Sequence, residues 1–145
     1  MGKGAIVTKE VDVFEHTADM GLEARADTQA QLYEALAEGL AALIASRETI
    51  RTDRTFERDV SAEDPEVLAV DFLSELLTLT HTEHVVIADV AVRCETPTSL
   101  HATIRTEPID PDRHTLGMEI KAVTYHQLEV RQDADGWHAR VLFDV

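Results

Sequence analysis

Glu15, His16 and Asp19 fall within one short stretch, FEHTADMG from Phe14 to Gly21, and place two carboxylates and an imidazole just ahead of a run that alternates like a strand. Oxygen donors of this kind suit a hard divalent cation, Mg²⁺, Mn²⁺ or Ca²⁺, better than a soft metal, and a carboxylate beside such an ion is stabilised in its charged form. Loops before strands also carry Asp and Thr merely to bond their own backbone, so this stretch alone leaves both uses open. A second set of donors stands at the far end of the sequence. In WHARVLFDV, Asp144 precedes Val145, and a terminal carboxylate there would add another hard oxygen donor at the end of a strand. The alternative is a solvated acidic tail. Asp71 and Glu75, one helical turn apart, form a further acidic pair that either faces water or meets a cation or a basic partner group.

Other candidate chemistry is thinner. DADG, with Asp133, Asp135 and Gly136, resembles the start of an EF-hand loop but lacks the remaining ligands and flanking helices, and reads as a turn. His126 shares a strand side with Ala122, Leu128 and Val130, which makes it a hydrogen-bonded core histidine, while His114 in the loop PIDPDRHTLG is a ligand or nothing. No serine sits in a G-x-S-x-G elbow, and no strand leads into a glycine-rich phosphate loop.

The elements that must position these residues follow from periodicity. Met20 to Ala26 alternates as a half-buried strand. Thr28 and Gln31 form a capping box ahead of a helix whose Leu32, Tyr33, Leu36, Leu40, Leu43 and Ile44 make one apolar stripe opposite Glu34 and Glu38. Thr49 to Ala62 reads as an exposed or edge strand. Asp64 caps, and Pro65 opens, a second helix over Pro65–Thr80 that is apolar around most of its circumference and so more deeply buried. Strands are expected at Val85–Glu95, Ser99–Glu107, Met118–Arg131 and Trp137–Val145, the last two joined by a DADG hairpin turn. Two early helices among mostly consecutive strands predict an α+β fold. Two helices would pack on one face of a largely antiparallel or mixed β-sheet in a single domain, 11–145, behind a poorly ordered extension, 1–10.

The balance of 13 Lys and Arg against 28 Asp and Glu gives a net charge of -15. That charge opposes nucleic acid and anionic membranes and favours basic protein partners and divalent cations; it is equally what salt adaptation produces. Cys94 is the only cysteine and alternates with Val90 and Val92, so it reads as a buried, inert thiol in a reducing cytoplasm. No signal peptide and no apolar run approaching the roughly 18 residues of a membrane span is present, so a soluble cytoplasmic protein is expected.

Four stretches, FEHTADMG, DFLSELL at Asp71 to Leu77, GMEIKAVTYH at Gly117 to His126 and the terminal FDV at Phe143 to Val145, resemble the archease family in its own order. Archeases are small acidic accessory proteins of the RtcB-type tRNA-splicing RNA ligase. The resemblance implies a protein that is not itself a catalyst but promotes ligase guanylylation, the transfer of GMP from GTP to a ligase histidine, and so multiple turnover in tRNA splicing or RNA repair. It implies a divalent cation on Asp19, Asp144 and Val145, with Glu15 and His16 as supporting or partner-facing groups. GTP and tRNA would be met only through the ligase. The rival expectations are a free-standing metal-dependent phosphohydrolase using the same carboxylates with His16 or His126 as proton carrier, and a chaperone-like binding module for RNA-modifying proteins.

Overall fold

The computed structural model describes residues 9–16, 19–46 and 50–145. Its elements run in the order β1 (Lys9–His16), β2 (Asp19–Ala26), α1 (Gln29–Ile44), β3 (Arg54–Ser61), α2 (Pro65–Glu83), β4 (Val85–Thr96), β5 (Ser99–Pro108), β6 (Ala122–Asp133) and β7 (Gly136–Asp144). The extension expected over 1–10 falls largely outside the described residues, while Lys9 and Glu10 are already part of β1. Thr28 accepts the Gln31 amide at 3.2 Å and Asp64 that of Val67 at 2.8 Å, so both helices start at the caps the sequence advertises. The second runs three residues beyond Thr80, to Glu83, and stops at His84, whose left-handed backbone (φ 55°) ends it.

The α+β class and antiparallel pairing are as expected, with the strands divided between two sheets. One has the order β1-β2-β7-β6 and the other β3-β5-β4, and β3 is an edge strand as its weak alternation suggested. The helices lie between the sheets. α1 packs on β1, β2 and β7 of the first sheet and on β4 of the second; α2 packs on β6 of the first and on β3 and β4 of the second. Leu22, Ala24, Val141 and Phe143 from one sheet and Val90, Leu100, Ala102 and Ile104 from the other close the core around Leu36, Leu40, Phe72, Leu73 and Leu76.

This sandwiching changes the reading of α1. The large residues make one stripe, but Ala35, Ala37, Gly39 and Ala41 are buried too, because the helix is packed between strands of both sheets. A Cβ on Gly39 would come within 2.9 Å of Leu22 and Val11, so the glycine sets how closely the helix approaches β1 and β2. Glu34, expected on the solvent side, instead holds Lys9 at 3.3 Å and accepts the Val92 amide at 2.9 Å, linking both sheets. Cys94 is half-buried, and burial followed by the nearby Glu34 charge pushes its thiol up to about 11, in line with an inert thiol.

The segment after β5 departs most from simple alternation. Strand β6 begins only at Ala122, because residues 115–118 serve α1 instead: Ser46 donates to Thr115 O (2.8 Å), Gly117 to Ile44 O (2.8 Å) and Met118 to Leu43 O (3.0 Å). The helix has no basic residue in its last turn and no left-handed cap, so this strap satisfies its final carbonyls. Farther along, β6 loses register between Thr124 and Glu129, with Gln127 at φ 55°, and His126 is exposed on this bulge rather than in the core. Residues 125–128 of β6 span only the Val141 position of β7, and these extra residues invalidate the parity that placed His126 inside.

His114 is a structural histidine. It is 4% exposed, its Nδ1 accepts the Asp110 amide at 2.9 Å and its Nε2 donates to Glu107 at 2.9 Å. Glu107 also pairs with Arg113 and accepts the Arg51 amide, and these groups, Arg113 foremost, hold its carboxyl down to about 2 from an ordinary 4.5. A carboxyl depressed by folding contributes stability that is complete above its unfolded pKa and is lost as pH falls through its folded one. Between pH about 4.5 and 2 the loop after β5 therefore loses this anchor. Thermal melts of Glu107→Gln against wild type are expected to show the variant clearly less stable at pH 7, with the gap closing toward pH 2; a gap independent of pH would count against this assignment.

Candidate metal centre

Two sheets leave two outward faces, and that of the β1-β2-β7-β6 sheet carries the residues singled out above. Pairing of β2 with β7 sets Leu22 opposite Val141 and Ala24 opposite Ala139 on the core side. Alternation then sends Asp19, Gly21, Glu23 and Arg25, with Asp144, Leu142, Arg140 and His138 opposite them, to the outer side. Asp19 and Asp144 are thus direct cross-strand partners, and side chains so placed have Cβ atoms about 4.5–5.5 Å apart, near enough for both carboxylates to reach one ion. Asp144 is exposed and Asp19 half-exposed, and Val145 follows with 39% of its surface open. On the flanks the register sets His16 of β1 opposite Asp19 and Ala122 of β6 opposite Asp144. Thr17 and Ala18 lie outside the described residues. Glu15 pairs with Met20 and so belongs to the other side of the sheet from Asp19.

Elsewhere on this face Glu10 pairs with Arg25, Glu23 with Arg140 and Glu129 with Arg131. Among the described side chains none supplies Asp19 or Asp144 with an ion-pair partner, so two like charges stand opposed across the β2–β7 pair, an arrangement that costs stability. The described residues contain no cluster of three or more His, Cys, Asp or Glu side chains able to hold an ion. The donor set fits a hard cation in kind, but its side chains fill only part of a coordination shell of six to eight oxygens.

The neighbouring row is closely packed. Phe14 and Gly21, the two ends of FEHTADMG, are register partners, and a Cβ on Gly21 would lie 2.3 Å from Phe14 Cζ, so the ring lies across the glycine. Arg140 stacks over that ring with its guanidinium carbon 4.3 Å from the centroid, while Leu142, opposite Gly21, is fully buried although it faces outward. None of Phe14, Gly21 or Arg140 stood out as a site residue in the sequence, although the glycine's place within an otherwise apolar alternation is the signal of a close approach. From the other edge, Lys121 donates its amide to Asp144 O at 2.8 Å, fixing the end of β7 to the strap that caps α1.

Asp71 and Glu75 are not part of this cluster. They line a separate cleft between α2 and β3 with Asp59 and Ser61, and Arg58 meets Glu75 at 3.3 Å. Glu75 of this pair thus meets a basic group of its own chain.

The model of the Archease protein family matches residues 12–145. The chain belongs to the archease family. The archease of Thermococcus kodakarensis is 35% identical over 136 residues, covering 91% of this chain and 96% of its own length. That of Pyrococcus abyssi is 33% identical over 141 residues, 94% of this chain and 99% of its own. The solution structure of protein 1598 of Methanobacterium thermoautotrophicum shares the fold with a TM-score of 0.78 at 25% identity, over 93% of this chain and 98% of its own. A Thermotoga maritima crystal structure, described as an archease and possible chaperone, gives a TM-score of 0.59 at 25% identity, over 91% of this chain and 94% of its own. No helix is long and apolar enough to cross a membrane.

Two outcomes are expected from this geometry. In chelator, Asp144→Asn is as stable as wild type or more stable by about 0.2–1 kcal/mol in urea unfolding, because it removes the opposed charge; a clear loss would mean that Asp144 has a stabilising partner. Gly21→Ala displaces the Phe14 ring and costs about 1–3 kcal/mol in the same measurement, whereas an unchanged unfolding midpoint would show that the ring is not confined.

Proposed function

We propose that this archease is an accessory protein that promotes guanylylation and multiple turnover of an RtcB-type RNA ligase in tRNA splicing or RNA repair, acting in the cytoplasm through a divalent cation, Ca²⁺, Mg²⁺ or Mn²⁺. Asp19 and Asp144 would hold the ion together with main-chain oxygens of Val145. The observation that carries this is the direct register of Asp19 with Asp144 on an open sheet face, without a cation among the described side chains. A hard ion bound there would neutralise the two charges and supply Lewis-acid stabilisation to phosphate oxygens brought by a partner.

The division of labour follows from the donor count. Two carboxylate side chains and a main chain leave several coordination positions for water, a triphosphate or ligase groups. That favours an accessory role over a free-standing phosphohydrolase, which needs a complete ion site and a placed base. Of the two proton carriers considered for such an enzyme, His126 sits on the β6 bulge, and His16 is in register with Asp19. The net charge of -15 supports approach to a basic protein cleft rather than to RNA itself, so GTP and tRNA are met through the ligase. A purely chaperone-like role, with an ion tying down the end of β7, has less support because the Lys121 amide already holds Asp144 O.

The test is ligase guanylylation over several turnovers with GTP and divalent metal, with and without the protein, beside folded Asp19→Ala and Asp144→Ala. Strong stimulation by wild type and a loss of roughly 100-fold or more in either variant is expected, beyond the 10–100-fold typical of losing only a supporting group. A folded, metal-loaded wild type that leaves its cognate ligase unaffected would end the proposal.

A further inference from the structure

The strap that joins α1 to the carboxylate row also walls an apolar pocket of about 230 Å³, lined chiefly by Ile44, Leu77, Ile109, Leu116, Met118 and Ile120. Ile109 and Leu116 are 36% and 50% exposed and are two of only five large apolar side chains exposed among the described residues. Apolar surface kept open and gathered in a concavity marks a place where something docks. The volume decides between occupants. Cavities of roughly 150 Å³ admit benzene, whereas sites for free small molecules run to about 300–1,000 Å³. This pocket is the size for one large apolar side chain.

Its surroundings say what kind of chain carries that side chain. Asp110 and Asp112 lie in the loop between Ile109 and Leu116, Glu119 is exposed on the rim, and the next residue but one, Lys121, bonds Asp144 O. Arg113 in the same loop is already engaged by Glu107. Asp110 is shared with Arg113, so the rim is left with Glu119 in the lining and the exposed Asp112 beside it, against His81 and the exposed Lys121, in a protein of net charge -15. We infer that this pocket is an anchor site for a protein partner that inserts a Leu- or Phe-sized side chain flanked by Lys or Arg, seating the partner so that its phosphate-handling groups face Asp19 and Asp144. The identification of that partner with the ligase rests on the function proposed above; the chemistry of the pocket does not.

Leu116→Gln and Ile109→Gln alter exposed side chains and leave the backbone bonds of Ile109 and of the strap in place, so both variants are expected to fold, which thermal melts check. In the guanylylation assay each should raise the protein concentration needed for half-maximal stimulation by about tenfold, the equivalent of one lost anchor of about 1.4 kcal/mol, while stimulation at saturation is retained. An unchanged half-saturating concentration, with wild type active, overturns the inference but not the proposed function. If wild type does not stimulate the ligase, NMR titration with acetyl-Lys-Phe-Lys-amide decides alone. Shifts at Leu116, Met118 and Ile120 that are absent with acetyl-Glu-Phe-Glu-amide and acetyl-Lys-Ala-Lys-amide support the anchor site. No shift, or equal shifts with all three, overturns it.

Discussion

The antiparallel register of β2 with β7 is the constraint on which the rest depends. It pairs Leu22 with Val141 and Ala24 with Ala139 beneath the helices, and the same alignment places Asp19 beside Asp144 on the open face. Because side chains alternate, a slip of one residue between the two strands would turn the apolar set of one strand outward and carry its carboxylate to the opposite face from the other. The core therefore enforces the site. The large hydrophobic preference for one register overrides the small repulsion between two surface carboxylates, which is why an arrangement unfavourable in itself is fixed rather than averaged away.

Backbone accounting links the site to the helices. The last carbonyls of α1 find neither a glycine cap nor a basic side chain, and they are met by amides of Gly117 and Met118. Gly117 is required there, since a Cβ would stand 2.4 Å from Leu43 O. Having capped the helix, the same segment reaches Asp144 O within four residues through Lys121. A helix end, an apolar pocket wall and the end of β7 are consequently one connected unit, and a displacement of any of them is felt by the others.

Much of this was legible because it is local. Caps at Thr28 and Asp64, the alternation of β2 and the DADG turn each depend on neighbouring residues, and the structure has them as the sequence implies. What could not be read is non-local. Ala35, Gly39 and Ala41 look neutral until strands of both sheets enclose their helix, and Glu34 looks solvent-facing until Lys9 and the Val92 amide reach it. His126 was misplaced because a bulge changes parity without changing composition, and the role of His114 stayed open because a polar, proline-rich loop gives no hint of the buried Glu107 that receives it. At the site, the opposition of Asp19 to Asp144 needed the pairing of β2 with β7, which alternation alone does not specify, whereas the residue types left a hard cation and a solvated acidic stretch as alternatives.

Magnitudes bear on what kind of ion site this can be. Opposed carboxylates on an exposed sheet face cost at most about 1 kcal/mol, a small fraction of the roughly 5–15 kcal/mol that holds a domain of this size together. A structural zinc, by contrast, contributes about 10–16 kcal/mol and leaves its domain unfolded when removed. The β2–β7 pair needs no such contribution, since its core-side residues and the Lys121 bond already fix it. An ion of the kind proposed between Asp19 and Asp144 would thus not be required for folding, and the domain would keep its shape with or without one. Exchange of that kind is what an accessory protein needs if its ion is to be shared with a partner, and it is what a site completed entirely by its own chain would resist.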